Sequence, residues 1–202
     1  MKAENSDKKA NLRSFCPTRW TVRYESLHSI YENYNTLKEF FSDYSSSDTS
    51  DATAKANGFL KNMESFDFFF TLSVLQKIFG YLDAANTAIQ KKQLHFGNVK
   101  LLIQTLRNTI KSFRDQFEEF WKVVNEKKVT FEIDSPKLKR KRKIPKKFDE
   151  SKDNLKDCCT NVEDTYKRLY CELVDNVVNC LEKKDSIQKY VSDESRKIRF
   201  GR

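Results

Sequence analysis

The chain has 202 residues, the size of one ordinary domain. It contains only four glycines and three prolines, whereas strand-rich domains need many of these residues in tight turns, so the composition favours long helices. Lys and Arg outnumber Asp and Glu by 38 to 29, and the net charge of +9 favours an anionic partner. The sequence has no apolar run of about 20 residues and begins with a polar stretch, so it predicts neither a membrane span nor a signal peptide.

The first part of the chain predicts a lead-in and two helices. Residues 1–14 carry almost nothing that could be buried, which predicts a flexible lead-in. From Trp20 onward, large apolar residues recur at steps of three and four, which is typical of an amphipathic helix. The run 45–51 is rich in Ser and Asp, so it predicts a loop that supplies the N-cap of a short second helix over 51–63.

Three longer helices follow. The segment 64–91 is apolar over a wide arc, which predicts a central helix surrounded by the others. Single apolar stripes predict amphipathic helices over 97–127 and over 152–183. The stretch 128–154 contains two prolines and many cations, so it predicts a basic linker or exposed loop between them. The tail 185–202 has no consistent stripe and is predicted to fray.

These segments predict an all-α bundle of about five helices, in one domain over 15–184 with a basic loop near 134–150. The sequence offers no sign of catalysis. Its glycines are too far apart for a phosphate-binding loop, and neither His28 nor His95 lies in a Cys/His spacing that suits zinc. We therefore predict that the chain is not an enzyme, with no catalytic residue, no metal site and no cofactor.

The strongest charge signal is an acid-free block over 137–147, which carries eight cations in eleven residues. One interpretation is a solvated loop without a partner. The functional interpretations are nuclear import, for which a short Lys/Arg run suffices, and phosphate contact driven by counterion release. The candidate DNA-contacting residues of this block are Lys137, Lys139, Arg140, Lys141, Arg142, Lys143, Lys146 and Lys147.

A second signal lies where the first helix begins. Thr18-Arg19-Trp20, followed by Arg23-Tyr24-Glu25-Ser26-Leu27, resembles the segment with which hAT-family transposases enter the helical domain inserted in their RNase H-like fold. Zinc finger MYM-type proteins derived from such transposases carry a similar segment. The resemblance continues in order over about residues 11–184, through Phe66-Asp67-Phe68, Gln90-Lys91-Lys92, Leu106-Arg107 and the stretch from Tyr166 to Asp175.

The resemblance implies a role in DNA handling without catalysis. In the family, two catalytic aspartates precede the inserted domain and a catalytic glutamate follows it, and the sequence here starts just before the resembling segment and stops before any recognisable return to the catalytic core. The family's aromatic-plus-Arg pair at the domain entrance helps to handle the DNA end and corresponds here to Arg19 and Trp20, with Arg23 close by. For Trp20 the alternative is a core position on the first helix, because it lies in phase with Leu27 and Tyr34.

The predicted function is therefore that of a non-catalytic fragment of a transposase-derived nuclear protein, which contributes DNA contact and scaffolding. The alternative is a protein–protein interaction module of a domesticated transposase that no longer binds DNA. The predicted partner is DNA, protein partners or self-association stay open, and no membrane is expected.

Overall fold

The computed structural model describes residues 20–46, 50–90, 96–138 and 161–200, with side chains over 24–46, 50–90, 97–138 and 161–183. Within these ranges the regular structure is helical and contains no strand, which confirms the predicted all-α class. The elements in chain order are α1 (Trp20–Glu32), α2 (Tyr34–Ser45), α3 (Asp51–Glu64), α4 (Phe66–Ile89), α5 (Phe96–Ser112), a 3₁₀ turn (Phe113–Gln116), α6 (Phe117–Thr130) and α7 (Val162–Phe200).

Two of the predicted helices are divided. The first becomes α1 and α2, which are separated at Asn33, where the side-chain Nδ2 donates to the Ser29 carbonyl over 2.8 Å and competes with the regular backbone pattern. The helix predicted over 97–127 becomes α5 and α6, with the 3₁₀ turn between them. Phe113 at the start of this turn and Phe117 just after it are both fully buried, so the core continues across the break.

Serine side chains cap the N-terminal ends of α3 and α4. Ser50, in the predicted capping loop, accepts the Thr53 N–H at the start of α3. Ser65 alone connects α3 to α4, and its hydroxyl accepts the Phe68 N–H and donates to the Asn62 carbonyl. Helices α3 and α4 are therefore joined by a single residue, and they also pack against each other.

Helix α4 is central, as its wide apolar arc predicts, and it contacts α1, α3, α5, α6 and α7. Its residues Phe69, Phe70, Val74 and Ile78 are fully buried. The Phe70 ring lies 4.9 Å from that of Tyr166 in α7 and 5.7 Å from that of Phe120 in α6, measured between centroids. Aromatic packing therefore joins three helices around one residue.

The start of the predicted linker 128–154 is part of the fold, which corrects that prediction. Helix α6 continues to Thr130, and the following residues Phe131 and Ile133 pack against the core. The Asp134 N–H donates to the Glu64 carbonyl over 2.9 Å, and the Lys38 ammonium donates to the Phe131 and Glu132 carbonyls. The physical reason is that two apolar side chains and three hydrogen bonds hold this segment against α2 and α3.

Helix α7 starts at Val162, and the predicted helical residues 152–160 lie outside the described ranges. Its backbone stays helical to Phe200, past the predicted end at 183 and through a tail predicted to fray. Propagating a helix costs far less than nucleating one, so a packed helix can extend without an apolar stripe of its own. The packed part is anchored by the Tyr166 hydroxyl, which donates to Asp67 Oδ1 over 2.5 Å.

We expect Tyr34→Phe to lower the free energy of unfolding by about 1 kcal/mol, because the Tyr34 hydroxyl is buried and donates to the Met63 carbonyl over 2.6 Å. Urea denaturation measures the loss. Tyr44→Phe is the matched control, since Tyr44 lies on the same helix and is exposed. Equal losses in the two variants would contradict a stabilising role for the Tyr34 hydrogen bond.

Candidate nucleic-acid interface

The residues predicted to contact DNA are only partly within the described structure. Arg19 lies outside the described residues, whereas Trp20 and Arg23 belong to the first turn of α1 and only their backbone is described. Lys137 is exposed, and its ammonium lies 3.3 Å from Asp134 Oδ2. The remaining predicted cations lie outside the described residues: Lys139, Arg140, Lys141, Arg142, Lys143, Lys146 and Lys147.

A cleft of about 750 Å³ lies between α1 and α6, with α4 as its floor. Helix α1 is antiparallel to α4, since Tyr24 approaches Gly80 near one end and Tyr31 approaches Phe69 near the other. Helix α6 is also antiparallel to α4, so the two walls run in the same direction. The volume is within the range of roughly 300–1,000 Å³ that is common for ligand sites.

Four aromatic rings are part of the lining of the cleft. Tyr24 and Tyr31 come from α1, Tyr81 from α4 and Phe120 from α6. Gly80 allows Tyr24 to lie close to the floor, because a Cβ at that position would be 3.3 Å from the Tyr24 ring. Tyr81 is exposed, so part of this aromatic surface faces solvent.

A polar pair holds the Tyr24 ring in place. The Tyr24 ring stacks on His28, with centroids 5.7 Å apart and planes 12° from parallel. His28 Nδ1 is in turn within hydrogen-bond distance of Gln76 Nε2 of α4, at 3.2 Å. This chain of contacts fixes the orientation of one wall of the cleft relative to its floor.

Two lysines bring positive charge into the cleft. The Lys77 ammonium lies 4.4 Å from the Phe113 ring centroid and donates to Gln116 Oε1 over 3.1 Å. Burial lowers the pKa of Lys77, and the nearby Glu119 carboxylate opposes that shift. The Lys127 ammonium lies 5.0 Å from the centroid of the Tyr31 ring. The cleft thus pairs aromatic faces with ammonium groups, a combination suited to a ligand that carries flat rings and negative charge.

Neither cleft lysine is among the residues predicted from the sequence to contact DNA. Lys77 does have a signal, because it is the one charged residue in the apolar segment 68–82. A cation at such a position is either paired or placed at a solvated edge, and here it reaches the cleft. Lys127 has no comparable signal, since α6 carries many charges and the sequence does not show which of them lies beside Tyr31.

The residues at the two ends of the cleft precede or follow, in sequence, the residues predicted to contact DNA. Tyr24 follows Trp20 by four residues on α1, which is about 6 Å along the helix axis. At the other end, Lys127 is followed by the packed loop that leads to Lys137 and the basic block.

Across the part of the chain that the structure describes, no three His, Cys, Asp or Glu side chains are grouped as metal ligands. Among the described helices, none combines the length and the apolar character needed to cross a bilayer. Comparison of the chain with family models, with curated proteins and with solved structures finds no match.

Proposed function

We propose that the chain is a non-catalytic helical part of a transposase-derived nuclear protein, where it contacts DNA and serves as a scaffold. The observation that carries the proposal of DNA contact is the aromatic and cationic cleft between α1 and α6. The proposal of a transposase origin is supported by the sequence resemblance alone. Nuclear localisation rests on the basic block 137–147.

The charges of the cleft favour a phosphate-bearing ligand. The Lys77 ammonium is partly desolvated, and its hydrogen-bond partner in the cleft is an amide oxygen instead of a carboxylate. A phosphate beside Lys77 would supply the negative charge that the Gln116 amide lacks. Its attraction to the ammonium would be stronger than in bulk water, because water is partly excluded there. Glu119 also lines the cleft, and its carboxylate would weaken the attraction of a phosphate on that side. Lys127, at the other end, is the second cation available to a backbone that runs along the cleft.

The rings favour an unpaired strand over a duplex. Bases in a duplex are stacked on each other and cannot reach the faces of Tyr24 and Tyr81, whereas the bases of an unpaired strand can. Stacking on an aromatic side chain tolerates any base, so this interface has no sequence preference of its own. In this proposal Trp20 and Arg23, in the first turn of α1, and Arg19, just before it, extend the same contact toward the N-terminal end of that helix.

We expect Tyr81→Ala to weaken binding of single-stranded DNA by about 1–3 kcal/mol, the usual loss for one base–aromatic stack. Fluorescence anisotropy with a labelled oligonucleotide measures this, with a fully paired duplex as the second ligand. Duplex binding should change much less, because its bases do not reach the ring.

Tyr44→Ala is the matched control for Tyr81→Ala. Both tyrosines are helical and similarly exposed, at 44% and 46%, but Tyr44 lies on α2 and outside the cleft. Melting temperatures of both variants show whether the fold is intact, since the Tyr81 ring also packs 5.1 Å from that of Phe113. Equal single-strand affinities for the two folded variants would count against the cleft as the DNA-contacting site.

A further inference from the structure

Helix α5 presents one row of polar side chains to solvent. Four exposed residues follow one another at steps of four, four and three: Lys100, Gln104, Asn108 and Lys111. At about 100° per residue these positions fall within an arc of about 80°, so the four residues lie on one side of the helix. We name them the α5 row. The row has a cation at each end and two amides between them.

The α5 row belongs to the longest part of the chain that lacks acidic residues. Neither Asp nor Glu occurs between Asp83 and Asp115, and this interval contains all of α5. Phosphates attract cations and repel carboxylates, so an exposed helix with cations and no acid is complementary in charge to nucleic acid. Charge therefore selects the kind of partner that fits this side of α5.

The acids of α7, which packs on α5, are directed elsewhere. Arg114 Nη1 donates to both carboxylate oxygens of Asp175 over 2.6 Å. Glu172 is exposed and two residues from the buried Tyr170, which places it on the outer side of α7. Glu182 has a contact partner as well. These acids leave the two lysines of the α5 row accessible to a phosphate.

The dimensions of the α5 row match the major groove of a DNA duplex. Lys100 and Lys111 are eleven residues apart, which is about 16 Å along the helix axis. The major groove is about 12 Å wide and admits an α-helix. With α5 seated in the groove, the long side chains of the two lysines reach phosphates at its edges, and the amides between them face the base pairs.

The two amides determine which base pairs fit. Gln and Asn side chains form paired hydrogen bonds with N6 and N7 of adenine. Gln104 and Asn108 are about 6 Å apart along the axis, so they meet base pairs about two steps apart. Leu101, which is 63% exposed, borders Asn108 in the helical projection and offers an apolar contact to the methyl group of a thymine. The α5 row is therefore suited to A·T pairs.

We propose that α5 lies in the major groove of duplex DNA, where Gln104 and Asn108 read A·T base pairs and Lys100 and Lys111 bind phosphates. The proposal rests on the proposed contact with DNA, but it assigns a second surface, outside the cleft. The cleft accepts an unpaired strand of any sequence, whereas the α5 row distinguishes paired bases.

The α5 row and the cleft adjoin each other. Phe113, two residues after Lys111, packs 5.1 Å from the ring of Tyr81 in the cleft, measured between centroids. Lys77, the other cleft residue at this end, lies 4.4 Å from the Phe113 ring centroid. A duplex that ends in an unpaired strand is therefore the DNA structure that fits both surfaces together.

The test uses a pool of DNA duplexes with a randomised central segment, from which the bound duplexes are recovered and sequenced. The amide variant carries Gln104→Ala and Asn108→Ala. The matched control carries Asn57→Ala and Asn62→Ala, which remove two exposed amides from α3. All four positions are exposed, so circular dichroism and melting temperature should match those of the unmodified chain.

We expect the unmodified chain and the control to recover a common motif that contains A·T pairs. The amide variant should lose this preference, because its affinity for the motif falls about tenfold or more, to that for other duplexes. Its slope of log affinity against log salt should be unchanged. A separate variant with Lys100→Ala and Lys111→Ala should keep the motif, bind every duplex more weakly and show a slope shallower by about 1.8.

Three results would overturn the proposal: no common motif for the unmodified chain, retention of the motif by the amide variant, or equal affinity for an RNA duplex of the same sequence. The last follows because the major groove of RNA is too narrow for a helix. Single-stranded DNA binding that still depends on Tyr81 would show that the α5 proposal fails alone. An unmodified chain that binds neither single-stranded nor duplex DNA would contradict the proposed function as well.

Discussion

Replacement of the eight cations in the block 137–147 with Ala will reduce the affinity for DNA by about 10³-fold or more at low salt, and it will leave the melting temperature nearly unchanged. Each phosphate contact releases counterions, so each lost contact makes the slope of log affinity against log salt shallower by about 0.9 for duplex DNA. The described start of the block supports an unchanged fold, because Lys137 is exposed and its partner is the neighbouring Asp134. Anisotropy titrations at several salt concentrations measure both quantities.

The control for this replacement is a block of the same eight cations in a shuffled order. Phosphate contact does not depend on the order of Lys and Arg, so the shuffled chain should keep its affinity and its salt slope. The neutralised chain, fused to a fluorescent protein too large for passive entry, should also fail to accumulate in the nucleus. An unchanged salt slope together with retained nuclear accumulation would mean that the block is a solvated loop.

Much of the fold follows from local patterns. Apolar residues at steps of three and four predict where helices form, and the wide apolar arc of 64–91 predicts that α4 is central, because such a helix must be covered on most sides. The packing of Phe131 and Ile133 could not be predicted in this way. Their segment is held by a hydrogen bond from Asp134 to Glu64, seventy residues earlier, and by Lys38, and no local pattern contains such contacts.

Less of the candidate site than of the fold can be predicted from the sequence. The basic block and the Arg19-Trp20 pair stay predictions, which rest on a local run of cations and on a family-like segment. The cleft could not be predicted from the sequence, because its residues come from α1, α4 and α6 and meet only after folding. Tyr24 and Tyr31 fit the apolar stripe of the first helix equally well, and the pattern does not show that both line a cleft.

Truncation of one residue in α4 is expected to have the largest effect on stability. Phe70→Ala should lower the free energy of unfolding by about 3–5 kcal/mol, as large-to-small core substitutions of aromatic residues do. Phe70 is fully buried, and its ring contacts those of Phe120, Trp121 and Tyr166 on α6 and α7. The substitution therefore leaves a cavity at the junction of three helices, and the rings around it cannot collapse into that space without separating from their own helices.

Phe68→Ala is the matched control, because Phe68 is two residues away on the same helix and is 36% exposed. Phe68→Ala removes the same atoms but leaves a smaller cavity. Its loss in the free energy of unfolding should therefore be well below that of Phe70→Ala. Urea denaturation of both variants gives the two free energies, and a domain of this size should show a decrease in melting temperature of about 2–4 °C per kcal/mol. Because α4 is both the core of the bundle and the floor of the cleft, Phe70→Ala should also weaken single-stranded DNA binding as the temperature approaches its lowered midpoint. A loss for Phe70→Ala no greater than that for Phe68→Ala would mean that α4 is not the helix around which the bundle is packed.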